Sequence, residues 1–372
     1  MRSVCFVTPF AGSAAVRHAE KLVNILAHCT DAVYFFGDQR VELAAPAADR
    51  VQRPVQFQAL KTARDVQPRA AAGLFWALSM ARLIGQTCWH MFRLRHDFDV
   101  LVCFLGVYYT PLIMLARLLG KQVIQFEASN AAVVFQHVYK SRLTVRPYLL
   151  LRHLNRQFAH VCAIETDYGI RQANLEQFST KIKILTLYVD IDFFKPRHSW
   201  EDRPNQVGYL GRLMAEKGIP AYLGAAKLET SGLRYLIAGE GPLQAEVESD
   251  DSPVRYLGWL RRGDVAVYLN DLRLLVLPTV AEGLPGVLME AMACGTPVLA
   301  TQIGGIEKVI TDGKTGFFLN EESAAGVRTK IHAVLSQDDI AQVSRAARDY
   351  AVRHFSLEAA VGRWQDVLED LQ

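Results

Sequence analysis

The stretch LLVLPTVAEGLPGVLMEAMACGTPVL, Leu274 to Leu299, constrains this chain more than any other. Four apolar residues, Leu274 to Leu277, predict a fully buried strand. A turn holding Glu282 and Gly283 follows, then a helix, then a second strand from Pro297 to Ala300. Pro285 suits the first helical turn, where a missing N–H costs nothing. Leu288, Met289, Ala291 and Met292 supply apolar faces, and Cys294–Gly295 ends the helix. A strand that delivers a glycine-containing turn into a helix N-terminus makes an anion site, because backbone N–H groups and the helix dipole point at one spot. Two acids bracket that spot, Glu282 in the turn and Glu290 within the helix. At about 1.5 Å rise per residue Glu290 lies roughly 7 Å along the axis, the span from a diphosphate to a ribose. A carboxylate there would have the reach to grip ribose hydroxyls, while Glu282 would be placed to face a sugar beyond the phosphates. The same pattern also fits an ordinary strand–helix unit of any doubly wound sheet.

Three further segments surround it in the second half of the chain. In VGYLGRLMAEKG, Val207 to Gly218, a turn at Gly211 presents Arg212, and Lys217 follows five residues on at a helix start. AGEGPL, Ala238 to Leu243, holds Gly239 and Gly241 in a tight turn, and YLGWL, Tyr256 to Leu260, holds Gly258 and Trp259. Strands and helices alternate through this half, which implies a parallel sheet covered by helices. The first half alternates in the same way. Val4–Thr8, Ala32–Phe36, Asp99–Phe104, Gln122–Phe126, Val161–Glu165 and Ile182–Leu185 are expected strands, with helices at about Ala14–His28 and Pro111–Leu119. Residues 41–68 are polar and expected to be irregular. Ala70 to Arg95 is apolar and aromatic, expected as a core helix pair or as a face bordering a membrane. Glu127 follows the carboxyl end of its strand, where ligands bind in open α/β sheets; it contacts an acceptor or caps a helix. Arg142 to Arg156 is a basic amphipathic helix whose arginines, at 142, 146, 152 and 156, either solvate one face or meet lipid headgroups.

The 372 residues, 51% of them hydrophobic, suffice for two domains with separate cores. Cys5, Cys29, Cys88, Cys103, Cys162 and Cys294 form no C-x-x-C pair and no zinc spacing, so they read as reduced thiols of a cytoplasmic protein. MRSVCFVTPF reads as a first strand rather than a signal peptide, and no uncharged apolar run approaches the roughly 20 residues of a membrane span. The net charge of +3 is unevenly spread: residues 1–200 hold 24 Lys and Arg against 14 Asp and Glu, the remainder 17 against 24. An anionic partner for the first half follows, an acidic membrane surface or nucleic acid. Nucleic acid leaves the acidic second half and its motifs unexplained.

AEGLPGVLMEAMACGTPVLA resembles the donor-site segment of the family-4 retaining glycosyltransferases, whose two glutamates stand eight positions apart. The resemblance runs through residues 206–320, and VDIDFFKP, Val189 to Pro196, is similar to a further family segment. It implies the GT-B fold: two Rossmann-like α/β domains facing each other across a cleft. The N-terminal, acceptor-binding domain would span 1–197, completed by about 355–372. The C-terminal, nucleotide-sugar-binding domain would span 198–354. The last helix would cross back to the first domain on Trp364, Val367 and Leu368. The implied reaction moves a hexose from a nucleotide diphosphate sugar to an acceptor hydroxyl with retention, in surface polysaccharide or glycolipid synthesis. Arg212 and Lys217 would stabilise charge building on the diphosphate, and no metal is required. Arg212, Lys217 and Glu282 are then the catalytic residues. Gly211, Gly239, Gly241, Gly258, Trp259, Gly283, Leu284, Pro285, Gly286 and Glu290 bind the donor. Gly12, Ser13 and Glu127 fall near donor or acceptor. Departures from the family pattern are single Gly12 in the first loop, Phe126–Glu127 in place of a His-Asp or His-Gly, and Gly304–Lys308 lacking a proline. The acceptor would be a sugar or lipid-linked sugar, and the enzyme cytoplasmic or peripheral on the inner membrane face. Rival readings are a sugar-nucleotide epimerase on the same fold and a non-catalytic nucleotide-sugar-binding subunit.

Overall fold

The computed structural model describes residues 2–8, 13–38, 49–57, 70–104, 108–127, 142–167, 170 and 175–371. They divide into two compact units, Met1–Leu187 with Ala360–Gln372, and Tyr188–Ala359.

The first unit holds a seven-stranded sheet. Its strands are β1 (Ser3–Val7), β2 (Ala32–Asp38), β3 (Val51–Phe57), β4 (Val100–Phe104), β5 (Gln122–Glu127), β6 (Val161–Ile164) and β7 (Ile182–Ile184). All run parallel, in the order β3-β2-β1-β4-β5-β6-β7. The helices are α1 (Ser13–Cys29), α2 (Ala70–Arg93), α3 (Thr110–Leu118) and α4 (Arg142–Phe158). Right-handed crossovers place α2, α3 and α4 on one face of the sheet, because each carries the chain in the same direction across it; α1 carries it the other way and covers the opposite face. The α2 and α4 helices each pack beside α3. Both faces are therefore buried. Cys5, Leu101, Cys103 and Val123 meet Met91, Leu112 and Ile113 on one side. On the other, Phe6, Phe104 and Phe126 form an aromatic row with centroids 6.2 and 5.4 Å apart.

Two expectations change here. Residues 51–57, expected to be irregular, form β3 at the sheet edge, where Pro54 costs no ladder bond. The register slips beside it, Tyr34 facing Gln52 and Phe36 facing Val55, so two residues oppose one. The Ala70–Arg95 segment is one helix of 24 residues rather than a pair.

The second unit repeats the plan with β8 (Gln206–Leu210), β9 (Arg234–Ala238), β10 (Arg255–Tyr256), β11 (Leu274–Leu277), β12 (Val298–Thr301) and β13 (Phe317–Leu319). These run parallel in the order β10-β9-β8-β11-β12-β13. Its helices are α5 (Ile219–Lys227), α6 (Gln244–Val247), α7 (Arg262–Asp271), α8 (Gly286–Ala293), α9 (Ile306–Val309), α10 (Ala324–Leu335) and α11 (Ile340–Phe355). Strand order reverses between β8 and β11, and in such sheets ligands bind beyond the carboxyl ends at that reversal. Residues 198–205 are tied into this unit: buried Arg203 donates to the Leu272 and Cys294 carbonyls and to Thr296 Oγ1.

The last helix, α12 (Leu357–Asp370), returns to the first unit from Ala360 onward. Trp364 is wholly buried and stacks on Phe126 at 6.2 Å, with Val367 and Leu368 buried beside it. Arg363 donates to the Thr186 carbonyl at 3.0 Å and Lys183 pairs with Asp370 at 2.6 Å. Among the described residues no helix is long and apolar enough to cross a membrane.

Candidate active site

The loops that leave β8 and β11 meet at the point of strand reversal. β8 is followed by Gly211, whose N–H donates to the Ala238 carbonyl at 3.1 Å. Arg212 follows with its side chain exposed, while Leu213 is buried and anchors the loop. The Arg212 carbonyl accepts from the Tyr209 hydroxyl at 2.9 Å. Burial, then the Glu282 and Glu216 carboxylates, hold that phenol above its usual range, so it stays a donor. A 3-10 turn, Ala215–Lys217, brings Lys217 round just ahead of α5.

Lys217 Nζ donates to Glu282 Oε2 at 2.5 Å and to the Ala281 carbonyl at 3.2 Å. Both side chains are mostly covered, at 19% and 18% exposure. The two loops are also stitched by backbone, the Val280 N–H donating to the Glu216 carbonyl at 2.9 Å. Lys217 and Glu282 therefore form one charged pair rather than two separate groups.

Beyond Glu282 the turn leads into α8, with Pro285 as its N-cap in extended conformation rather than in the first turn. No side chain caps this N-terminus, so its N–H groups face the turn. Glu290 is the fifth residue of the helix and half-buried. Gly283, Leu284 and Gly286 complete the turn, and the Gly283 carbonyl accepts from the Gly305 N–H at 2.6 Å. Gly304 has φ +60°, and a Cβ there would lie 2.1 Å from the Glu282 carbonyl oxygen. The glycine pair after β12 is thus the floor under the glutamate turn. Sequence reasoning noted that pair only as a departure from the family pattern; its signal was two glycines directly after a buried strand.

The other strand ends join the same cluster. The Gly239 N–H donates to the Gly258 carbonyl at 2.9 Å, and the Tyr256 hydroxyl donates to the Gly239 carbonyl at 2.8 Å. At Gly239, φ +132°, a Cβ would lie 1.8 Å from the Gly211 carbonyl oxygen, and at Gly241 one would lie 2.4 Å from the Leu213 carbonyl oxygen. Trp259 stands 55% exposed beside them. The second unit therefore gathers Arg212, Lys217, Glu282, Glu290 and Trp259 around glycine turns at the carboxyl ends of β8 to β11. The arrangement offers two cations, two carboxylates and an aromatic plane. Among the described residues no three of His, Cys, Asp or Glu assemble a metal site.

In the first unit the picture differs from expectation. Gly12 lies outside the described residues, as does the side chain of Ser13, which opens α1. Glu127 ends β5 and is buried, and both Arg152 and Arg156 of α4 close on it at 2.5 Å. Burial alone would raise its carboxyl, but the Arg156 hydrogen bond and the charges of Arg152 and Arg156 bring it below the ordinary value. Its place is that of a buried counter-ion rather than a helix cap. The basic stripe of α4 accordingly does not form one outward face: Arg152 and Arg156 turn inward, Arg146 is exposed, and the side chain of Arg142 lies outside the described residues.

Two doubly wound parallel sheets, with a last helix returning to the first, define a GT-B protein. The model of the glycosyl transferases group 1 family matches residues 204–337, about a third of the chain. Among curated relatives it is 27% identical over 146 residues to the 2-deoxystreptamine N-acetyl-D-glucosaminyltransferase of Niallia circulans, a match covering 37% of this chain and 38% of that one. It is 29% identical over 194 residues to the putative colanic acid biosynthesis glycosyltransferase WcaL of Escherichia coli, covering 47% and 48%. The chain thus spans less than half the length of these relatives. Over its whole length it superposes on HepE of Anabaena, solved in complex with UDP, at TM-score 0.71 and 14% identity, with all of both chains covered.

Proposed function

We propose that this chain transfers a hexose from a nucleoside diphosphate sugar to an acceptor hydroxyl with retention of configuration. The observation that carries the reading is the loop cluster at the β8–β11 reversal, where the Lys217–Glu282 pair stands in the turn that enters the uncapped N-terminus of α8 and Arg212 is exposed on the β8 loop. As the glycosidic bond breaks, negative charge gathers on the departing diphosphate. Fixed cations and helix N–H groups stabilise that charge more in the transition state than in the bound donor. Arg212 binds phosphate as a planar fork and Lys217 as a point charge. Glu290 takes the ribose hydroxyls, Trp259 with Gly258 borders the nucleobase, and Glu282 faces the sugar being moved.

No side-chain nucleophile is assigned. Retaining hydrolases use two close carboxylates as acid and nucleophile, whereas here one of the two acids is reserved for ribose. The acceptor oxygen forms its bond to the anomeric carbon on the face the diphosphate leaves, and its proton passes to the departing phosphate oxygen. With two cations on the diphosphate, the reaction runs without a metal. The acceptor is a sugar or lipid-linked sugar of surface polysaccharide or glycolipid synthesis, a reading supported by the name of the Escherichia coli relative. Six free thiols suit a reducing, cytoplasmic setting. HepE has been solved with both UDP and UDP-glucose, so uridine nucleotides are the first donors to try.

The test is incubation with a panel of nucleotide sugars and candidate acceptors, following nucleoside diphosphate release and the anomeric configuration of the product. Release that depends on acceptor and yields the donor's configuration supports the reading. Interconversion of the sugar nucleotide without transfer, or nucleotide binding without turnover, would replace it.

A further inference from the structure

The outward faces of α2, α3 and α4 carry a chemistry that sugar transfer leaves unused. On α2, Trp89 is 61% exposed and Phe92 45%, three residues apart. On α3, Met114 is 46% exposed and Leu118 84%, four apart; on α4, Leu149 and Leu150 are 43% and 58% exposed. Spacings of three and four keep the α2 pair and the α3 pair each on one side of its helix. The three helices lie next to one another on one face of the first sheet, α3 touching both neighbours. One outward leucine is ordinary, but large apolar side chains on three adjacent helices mark an interaction surface.

Charge on the same helices is one-sided. None of the three contains an aspartate or a glutamate, while Arg82, Arg93, Arg117 and Arg146 are exposed on them. The contrast lies on the other face of the same sheet, where α12 carries Asp366, Glu369 and Asp370. Just past α2 the Arg95 guanidinium lies 4.7 Å over the Phe92 ring, a cation beside an apolar wedge. A second copy of this face would bring like charges together, and a purely polar anion has no use for Leu118 or Leu150. An anionic bilayer meets both demands: apolar side chains enter the acyl boundary and arginines stay among the headgroups.

We infer that the outer face of α2, α3 and α4 rests on an anionic phospholipid surface. Trp89, Phe92, Leu118 and Leu150 supply the apolar anchor, and Arg93, Arg117 and Arg146 the headgroup contacts. Arg152 and Arg156 take no part, since Glu127 holds them inside. The attachment is reversible and peripheral, and it stands apart from the donor chemistry.

Flotation of the full chain with phosphatidylcholine vesicles, with and without phosphatidylglycerol, tests this in the absence of donor and acceptor. Binding should require phosphatidylglycerol and fall as salt rises to about 1 M, where the screening length drops to about 3 Å. Paired replacement Trp89→Ser, Phe92→Ser should weaken it roughly tenfold or more. Each of Arg93→Gln and Arg117→Gln should weaken it roughly fivefold. All four positions are exposed, so melting temperatures should hold. As an independent reading, brominated lipid should quench tryptophan fluorescence in the parent and less in Trp89→Phe. Failure to bind anionic vesicles, equal binding to neutral ones, or undiminished binding by these variants would overturn the inference. So would a dimer in light scattering that Leu118→Ser with Leu150→Ser dissolves. A failed transfer assay leaves the flotation result untouched, so the two readings stand or fall separately.

Discussion

Lys217 Nζ stands 2.5 Å from Glu282 Oε2, joining the loop after β8 to the loop after β11. The pair spans 65 residues of sequence and is four-fifths covered. A donor diphosphate arriving at the α8 N-terminus would share Lys217 with Glu282, which keeps that cation aimed before substrate binds.

Removing either cation should cost turnover. Lys217→Ala leaves Glu282 without its partner and the diphosphate without a fixed charge, and Arg212→Ala removes an exposed guanidinium. Each should lower kcat by roughly 10²- to 10³-fold. Arg212→Ala should also leave the melting temperature unchanged, because its side chain packs little. Steady-state diphosphate release with thermal unfolding measures both. Near-parental turnover in either variant would take that residue out of the diphosphate site.

The two glutamates should fail differently. In the proposed donor site Glu290→Gln would lose charge at the ribose and should mainly raise the donor KM. Glu282→Gln frees Lys217 and, in the same proposed site, would alter the contact to the moving sugar, so it should mainly lower kcat. The same kinetic defect in both would undo this division.

Chelation by EDTA should leave turnover intact, since Arg212 and Lys217 carry the diphosphate charge in the proposed mechanism. A complete loss that magnesium restores would contradict the metal-free reading.

Gly304→Ala should disturb the glutamate turn from beneath. At φ +60° the new Cβ meets the Glu282 carbonyl oxygen at 2.1 Å, so backbone must move. A cost of about 1–3 kcal/mol is expected, along with weaker donor binding. Gly313→Ala, at φ +70° with open space around it, carries the backbone strain alone and serves as control. Calorimetric donor affinity and urea unfolding separate the two; equal donor affinity in both variants would show that Gly304 does not set the turn.

Glu127→Gln should destabilise the first unit by about 3–5 kcal/mol, because it leaves two buried guanidiniums without a counter-ion. Since the folded carboxyl titrates below its ordinary value of 4.5, its contribution is complete above that pH. It is lost as pH falls through the lower folded value. Urea unfolding between neutral and acid pH should show this loss in the parent. In Glu127→Gln that part of the slope should be missing; an identical acid slope in the variant would assign the loss to other carboxylates.

How far the sequence reached is clearest in the contrast between α8 and α4. The β11–turn–α8–β12 segment was legible because its determinants lie within a few residues of each other. An apolar run makes the strand, glycines make the turn, Pro285 opens the helix and Cys294–Gly295 closes it. β3 was missed because residues 41–68 read as polar and irregular; a polar strand holding Pro54 is tolerated at an edge, and the edge exists only once the sheet is assembled.

α4 marks the limit. Its 3.6-residue period fixed which side chains share a stripe, and the sequence by itself determined that much. Which stripe faces inward was decided by the carboxylate waiting at the end of β5. Glu127, 25 and 29 residues before its partners, draws Arg152 and Arg156 into the interior. Leu149 and Leu150 are left outside. Hydrophobic patterning alone would turn that helix the other way. A buried charge must be met by its opposite, and only the tertiary structure brings the two charges to the same place.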